Sequence, residues 1–210
     1  MKHATHVLCL AGLALLTACG EEEATWPPVR TDMGWLTTSP AGRADRFMPD
    51  SGDTLRVSNV QGGLQPDSLY RVIAIHTPAG GTTAVNRIEP LLVATPRAYK
   101  NPKTDPVEAI SVWEGGGCVN LRLGIRTRNA GTHYFGCIDY GTTTWPDRRK
   151  TLTLGLYHDQ GTDPPSFTRT LYLSFGLTGH SPALQPGDTV RVRIPTFTLG
   201  TDTRTVVLAE

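Results

Sequence analysis

The chain has few cysteines, and those it has are unevenly placed. Of its four cysteines, Cys9 and Cys19 lie in the N-terminal segment, so that only Cys118 and Cys137 serve the rest of the chain. Two thiols are too few for a cysteine-rich zinc site or for a scaffold held by several disulfides. In an exported protein they permit one disulfide, Cys118–Cys137, and two free thiols are the alternative.

An excess of charge of one sign is also lacking. The 210 residues carry 20 basic and 19 acidic side chains, and the formal net charge is +1. Binding of nucleic acid requires a strongly basic face, and long-range steering of a charged partner requires a net field. We therefore predict that the protein has no nucleic-acid partner.

Motifs for catalysis and for cofactor binding are missing as well. There is no Gly-x-Ser-x-Gly nucleophile elbow, and the glycines at 115–117 are not followed by the lysine of a phosphate loop. The histidines are scattered rather than spaced as zinc ligands. Asp159 and Asp163 could offer oxygens to calcium, but their loop lacks a full ligand set. We predict no cofactor, no metal beyond this weak candidate, and no enzymatic activity.

The N-terminal segment has the features of a lipoprotein signal peptide. A basic start is followed by an apolar run at residues 7–16, too short for a membrane span of about 20 residues. Leu16-Thr17-Ala18-Cys19 then forms a lipobox. This pattern predicts removal of residues 1–18 and acylation of Cys19, and several acyl chains on one residue anchor a protein stably. A secreted protein with an incidental cysteine is the alternative.

An acidic run follows the cysteine directly. Glu21-Glu22-Glu23 resembles the surface-export signal of some Gram-negative lipoproteins, whereas a merely extended, self-repelling tether is the alternative. We predict an outer membrane lipoprotein that is exposed at the cell surface, with residues 19–28 as its tether. A periplasm-facing protein remains the other interpretation.

The rest of the sequence is typical of an all-β protein, with 22 glycines and 16 prolines and no long segment of helical spacing. Residues 29–95 contain five short β-prone runs, which predict a small OB-like barrel because closure removes exposed edges. A small sandwich fits nearly as well. Residues 96–105 have no periodicity and predict a linker. Residues 106–210 contain about seven alternating runs, which predict a β-sandwich.

The alternating strands also indicate whether Cys118 and Cys137 can form a disulfide. Residues 118–126 and 132–140 would form a hairpin with a turn near Asn129. In that register Cys118 and Cys137 lie about four residues, or roughly 13 Å, apart along the ladder. Cα atoms joined by a disulfide lie within about 7 Å, so a bulge or another register would be needed to close the bond.

Exposed aromatic residues are the best indication of a binding surface. Trp145 lies in a polar loop beside Arg148 and Arg149, and Tyr157 and Tyr172 fall on the polar phase of their strands. Aromatic rings beside hydrogen-bonding groups can stack on a sugar or anchor a protein. These five residues are the candidate partner-binding set. Trp145 as a cap on the end of the sandwich core is the alternative.

Several motifs in the second half of the chain occur together in one known family. They are Ser111-Val112-Trp113, Gly115-Gly116-Gly117, Asn120-Leu121-Arg122-Leu123, Leu156-Tyr157-His158-Asp159-Gln160 and Leu184-Gln185-Pro186-Gly187-Asp188. From Asp105 onward the chain resembles the C-terminal domain of NigD-like lipoproteins. The resemblance implies a signal peptide, an OB-like domain and a β-sandwich, and it suggests a role in bacteriocin immunity. It carries over no catalytic residues.

Taken together, these features predict a non-enzymatic, lipid-anchored envelope protein that acts as a binding or accessory module for a protein or glycan partner. Bacteriocin immunity is the alternative function. A glycan-active enzyme would need two carboxylates facing one cleft, and no such pair stands out in the sequence.

Overall fold

The computed structural model describes residues 28–209. The predicted signal peptide, Cys19 and nearly all of the tether lie outside these residues. The described part is built from strands, turns and loops without a helix, which confirms the predicted all-β class. Accordingly, no helix in residues 28–209 is long and apolar enough to cross a membrane.

The first domain is a closed five-stranded barrel. Its strands are β1 (Arg30–Thr38), β2 (Ala44–Pro49), β3 (Leu55–Val57), β4 (Leu69–Ala79) and β5 (Thr82–Pro90). They are hydrogen-bonded in the order β1-β2-β3-β5-β4, and β1 also pairs with β4 to close the barrel. β3 and β5 are parallel, while the other neighbours are antiparallel. The predicted OB-like barrel is thereby confirmed.

The barrel has a small core, and two of its strands lie very close together. Leu36, Phe47, Val72 and Ala74 are buried in its centre. Strands β1 and β2 approach very closely at Gly34, where an added Cβ would lie 2.3 Å from the Met48 carbonyl oxygen. Glycine is therefore required at this position by the close backbone approach.

The second domain is a β-sandwich of two sheets. Its strands are β6 (Leu92–Ala94), β7 (Pro96–Arg97), β8 (Glu108–Gly115), β9 (Cys118–Thr127), β10 (Tyr134–Thr144), β11 (Lys150–Asp159), β12 (Phe167–Gly176), β13 (Thr189–Thr196) and β14 (Gly200–Val207). One sheet has the order β14-β13-β11-β10-β7 and the other β6-β12-β9-β8. The alternating apolar residues of β9, β11, β12 and β13 meet between the sheets as one core.

The predicted boundary between the domains differs from the observed one. Residues 92–94 pair with β12 and residues 96–97 pair with β10, so this segment adds one short strand to each sheet of the sandwich. The sequence assigned it to the end of the barrel and the start of a linker. The segment is too short to show periodicity. Its two strands run parallel to β10 and β12, which lie far away in the sequence.

The predicted hairpin between residues 118–126 and 132–140 is also wrong. β9 pairs with β8 and β12 in the four-stranded sheet, whereas β10 pairs with β7 and β11 in the five-stranded sheet. Cys118 and Cys137 are therefore on different sheets, and both are buried free thiols. The candidate disulfide is not formed. Burial raises the pKa of the Cys118 thiol to about 11, which keeps it protonated and unreactive.

A buried polar network joins the two domains. Arg71 of β4 has a fully buried side chain and forms an ion pair with Asp50. Arg71 Nη2 also donates to Asn120 Oδ1 of β9 at 3.0 Å, and Ser174 Oγ of β12 donates to the same oxygen at 2.7 Å. Asn120 lies on the polar phase of its strand, yet it is fully buried because the barrel covers this part of the four-stranded sheet.

The triple-glycine turn at residues 115–117 also belongs to this contact between the domains, which we call the joint. Trp35 Nε1 of β1 donates to the Gly116 carbonyl oxygen at 2.8 Å, and Arg71 lies 5.3 Å from the centre of the Trp35 ring. Gly116 has a φ of +62°, and a Cβ there would lie 2.5 Å from Asp50 Oδ1 and Arg71 Nη1. The glycine run is thus a turn that lets the β8–β9 hairpin approach the barrel.

A candidate binding face on the five-stranded sheet

The outer face of the five-stranded sheet carries aromatic, arginine and threonine side chains. Leu152, Leu154, Val190 and Val192 are fully buried in the core, so the residues that alternate with them point outward. We call this surface the outer face. Its residues are Arg97, Ile138, Tyr140, Thr151, Thr153, Gly155, Tyr157, Arg191, Arg193, Thr203 and Thr205, together with Trp145 and Tyr99, which lie over it.

Register places two arginines in one row across the sheet, with two strands between them. Arg97 pairs with Ile138, which pairs with Gly155. Gly155 in turn pairs with Arg193, and Arg193 with Thr203. Arg191 lies two residues before Arg193 and points to the same side.

A β-bulge turns Tyr140 onto this row. The register of β10 against β11 shifts between Asp139 and Thr142, and such a shift re-aims the side chains within it. The Tyr140 ring then lies over Gly155, where an added Cβ would be 2.6 Å from Tyr140 Cε2. The Arg193 guanidinium lies 4.9 Å from the centre of the same ring. Tyr140 nevertheless remains 47% exposed.

Trp145 is held over one end of the outer face. The turn between β10 and β11 is closed by the Trp145 N–H, which donates to the Arg149 carbonyl at 2.8 Å. The indole Nε1 donates to Thr151 Oγ1 at 2.9 Å, and Thr151 is in turn bonded to Thr189 at 2.8 Å. The ring therefore lies on outward-pointing threonines rather than on the end of the core, and it is 49% exposed.

A pair of stacked tyrosines occupies the other end. Tyr99 and Tyr157 are parallel, with ring centres 4.6 Å apart, and the Arg97 guanidinium lies 4.5 Å from the centre of the Tyr99 ring. Gly136 makes room for this arrangement, since a Cβ there would be 2.3 Å from Tyr99 Oη. The tyrosine pair is thus fixed by its packing before any ligand arrives.

The middle of the outer face has positive but no negative charge. Asp139 pairs with Leu154, and Asp202 pairs with Ile194, so both carboxylates point to the core side. Asp159 and Asp147 lie at the far ends of β11. Among residues 28–209, none of the ion pairs involves Arg97, Arg191 or Arg193.

The structure brings together only part of the predicted binding set. Trp145 and Tyr157 lie on the outer face, and Arg148 and Arg149 lie beside Trp145 in the exposed turn. Tyr172 instead belongs to the opposite sheet, where it pairs with Arg122 and contacts its guanidinium at 5.8 Å. The five residues therefore do not form one surface.

The carboxylates of the weak calcium candidates, Asp159 and Asp163, already accept hydrogen bonds from the protein. The buried Asp163 carboxylate accepts bonds from the Thr127 hydroxyl, from the backbone N–H of Arg128 and Ala130, and from His133. The Thr127 hydroxyl foremost, with these N–H groups, holds the pKa of Asp163 well below its usual range. Asp159 accepts from Gly161 N–H at 2.9 Å. Across the described chain, histidine, cysteine and acidic side chains do not gather in groups of three that could hold a metal.

Two buried histidines form a hydrogen-bonded chain beside this carboxylate. His158 Nδ1 lies 2.9 Å from the Asp105 carbonyl oxygen, and His158 Nε2 lies 2.9 Å from His133 Nδ1. His133 Nε2 then lies 3.1 Å from Asp163 Oδ2. The two rings therefore connect the Asp105 carbonyl to the Asp163 carboxylate.

We expect this histidine pair to make the protein less stable in mild acid. Burial lowers the pKa of His158, so the folded state keeps this ring neutral while the unfolded chain takes up a proton below about pH 6.5. Stability therefore falls as the pH drops through that range. The measurement is the urea midpoint between about pH 8 and pH 5. His158→Gln should flatten the curve, and an equal slope in wild type and variant would contradict this assignment.

The cleft beside β8 and the β13–β14 turn does not hold a pair of buried acids among its described residues. It has a volume of about 320 Å³ and is lined by Glu108 and Asp202. Glu108 is exposed, and Asp202 accepts two bonds from Arg204 at 2.8 Å. The two carboxylates are therefore not the pair of acids facing one cleft on which glycoside hydrolysis depends.

Comparison with known proteins adds the family. The profile of the NigD-like C-terminal beta sandwich domain matches residues 89–208. The chain belongs to the NigD-like family. Its matched region begins just before β6, in agreement with the strand pairing that assigns residues 92–97 to the sandwich. No curated protein sequence matches this NigD-like chain.

Solved structures share the fold of the whole described chain. A NigD-like immunity protein from Bacteroides caccae has 22% identity and a TM-score of 0.67, covering 86% of this chain and 92% of the other. A protein described as toxin-related from Parabacteroides distasonis has 19% identity and a TM-score of 0.63, covering 87% and 94%. A protein described as a lipoprotein from Bacteroides fragilis has 8% identity and a TM-score of 0.61, covering 86% and 99%.

Sequence reasoning missed most of the outer face of this NigD-like chain, of which it named only Trp145 and Tyr157. Tyr99 and Arg97 lay in the predicted linker, and Tyr140 lay in a bulge that disturbs the alternation. Arg193 was on the polar phase of its strand, which is where an ordinary solvent-exposed arginine also lies. Only the pairing of β7, β10, β11 and β13 shows that these residues share a surface.

Proposed function

We propose that this NigD-like protein is a non-enzymatic binding or accessory module of the outer membrane, anchored through Cys19, that engages a protein or glycan partner with its outer face. The proposal rests on one observation. Trp145 and Tyr140 are about half exposed, yet each is fixed, Trp145 by its hydrogen bond to Thr151 and Tyr140 by its seat on Gly155.

Rings held in this way are suited to binding. An exposed aromatic side chain that is already ordered loses little conformational entropy when a partner covers it. Aromatic and arginine side chains also contribute a large share of binding energy at interfaces. The fixed rings and the neighbouring arginines supply both kinds of contact on one side of the sandwich.

The location at the cell surface is part of the same proposal. It is supported by the lipobox at Cys19 and by the acidic run Glu21-Glu22-Glu23. A structural neighbour from Bacteroides fragilis is itself described as a lipoprotein. An anchored module with an exposed binding face would act on glycans or proteins that approach the outer membrane.

The test compares three forms of the purified full-length protein on arrays of surface glycans and envelope proteins. We expect Trp145→Ala with Tyr140→Ala to weaken binding at least about tenfold, the loss typical of interface aromatics. Tyr172→Ala is the matched control, because it removes a comparable ring from the opposite sheet. Equal binding by wild type and the double variant would contradict the proposal, as would an equal loss in the control.

Bacteriocin immunity is the second candidate function, and it is favoured by the similarity to a NigD-like immunity protein from Bacteroides caccae. Deletion of the gene discriminates between the two. Sensitivity to a toxin of neighbouring strains should rise if the protein confers immunity, and complementation with the wild type should restore resistance. Unchanged sensitivity is expected if the protein binds glycans of the envelope.

A further inference from the structure

Two arginines of the outer face are held on tyrosine rings and lack a carboxylate partner. Arg193 lies 4.9 Å from the centre of the Tyr140 ring, and Arg97 lies 4.5 Å from the centre of the Tyr99 ring. Stacking of this kind orients the planar guanidinium without neutralising its charge. Both arginines are exposed, as is Arg191.

The spacing of these charges suits a long ligand. Arg97 and Arg193 are separated by β10 and β11, so their backbones lie about 14 Å apart at roughly 4.8 Å per strand. Arg191 lies about 7 Å from Arg193 along β13. The exposed ring of Tyr140 lies between the two ends of the row. Positive groups therefore alternate with an aromatic surface across the sheet.

The chemistry between the arginines favours a carbohydrate over a protein. The only aliphatic side chain in the row, Ile138, is 3% exposed, and Thr153 of β11 with Thr203 and Thr205 of β14 add hydroxyl groups to the outer face. The clefts of about 320, 270 and 380 Å³ are lined by other residues. A protein partner would need apolar pockets for its anchoring side chains, whereas sugar rings stack on flat aromatic surfaces beside hydrogen-bonding groups.

We infer that the outer face binds an acidic polysaccharide, whose carboxylate groups pair with Arg97, Arg191 and Arg193 while its sugar rings lie on Tyr140 and Trp145. The inference rests on the proposed function, for which it names the class of ligand. Guanidinium groups bind carboxylates in a bidentate, charge-assisted manner, so the acid group rather than the sugar backbone decides the preference.

The experiment uses the full-length protein and polygalacturonate as the acidic probe, with fully methyl-esterified polygalacturonate as its neutral counterpart. Binding is measured by affinity electrophoresis and by titration calorimetry at low and at physiological salt. We expect the acidic form to bind, the esterified form to bind at least about tenfold more weakly, and added salt to weaken only the former.

Arginine variants locate the site. Arg97→Gln, Arg191→Gln and Arg193→Gln in one chain should lower the affinity for polygalacturonate at least about tenfold, because three charge-assisted contacts are lost. The control removes the same charge elsewhere, with Arg43→Gln, Arg122→Gln and Arg128→Gln, and should change the affinity less than about twofold. All six arginines are exposed, so folding is checked simply by circular dichroism and thermal melting.

Three results would overturn the inference. They are equal binding of the acidic and esterified polymers, an equal loss in the control triple variant, and equally tight binding of a single-stranded oligonucleotide. If binding to neutral glycans or to an envelope protein persists and depends on Trp145 and Tyr140, the proposed function stands without its acidic ligand. If the Trp145 and Tyr140 variant binds as the wild type does, the proposed function fails too.

Discussion

Replacing Arg71 by alanine is expected to lower the free energy of unfolding by about 3 to 5 kcal/mol, the usual cost of removing one partner from a buried ion pair. The side chain of Arg71 is fully buried and that of Asp50 is 15% exposed. Between the two domains, the variant would leave the Asp50 carboxylate without its arginine partner and the Asn120 amide oxygen with only the Ser174 hydroxyl as its donor. Urea unfolding followed by tryptophan fluorescence is the measurement, since Trp35 lies against Arg71.

Two controls identify the cause of this loss. Arg46→Ala removes an arginine whose ion pair with Asp45 is more than half exposed, and it should cost no more than about 1 kcal/mol. Arg71→Leu combined with Asp50→Leu removes both charges and should restore much of the stability. A small effect of Arg71→Ala, similar to that of Arg46→Ala, would show that the network does not stabilise the joint.

Replacing Cys19 by serine is expected to move the protein from the membrane to the soluble fraction almost completely. The serine variant cannot receive the acyl chains that would hold the mature protein, and the apolar run at residues 7–16 is too short to replace them as a span. The measurement is a blot of membrane and soluble fractions, with Cys9→Ser as the matched control. Retention of Cys19→Ser in the membrane would exclude the lipid anchor.

The same blot, made after protease treatment of intact cells, tests the side of the membrane on which the anchored protein lies. Loss of the protein from intact cells is expected for surface exposure. Protection until the cells are broken would place it in the periplasm, and the acidic run Glu21-Glu22-Glu23 would then serve only as a tether.

Most of the fold could be predicted because the alternation of apolar and polar residues in each long strand shows which of its sides faces the core. The apolar residues of β9, β11 and β13 alternate strictly, and all of them face the core. The barrel could be predicted from its five short β-prone runs, because closure removes exposed edges. What the sequence does not record is which strands pair, and the error over Cys118 and Cys137 arose there. Neighbouring strands in the sequence form a hairpin in most cases, but β9 and β10 cross between sheets.

The candidate site was harder to predict, for a related reason. Trp145 and Tyr157 could be named because each interrupts a polar context with a large ring. The roles of Tyr140 and Gly155 become visible only when the two are seen together, since the glycine provides the space that the tyrosine ring fills. Asn120 shows the same effect in the joint between the domains. It is a polar residue that alternates with the core residues of β9, yet the barrel covers it and Arg71 donates to its oxygen.

The segment at residues 92–97 has a consequence for the order in which the chain folds. Every barrel strand finds its neighbours within residues 30–90, whereas Leu92 must wait for Leu173, roughly 80 positions later. A chain that is synthesised with its N-terminus first can therefore finish the barrel while the sandwich is still incomplete. The completed barrel then offers the Arg71 side chain, to which Asn120 and Ser174 of the later sheet can hydrogen-bond. We expect folding to be slowest at the closure of β6 and β7, because contacts so distant in sequence form last.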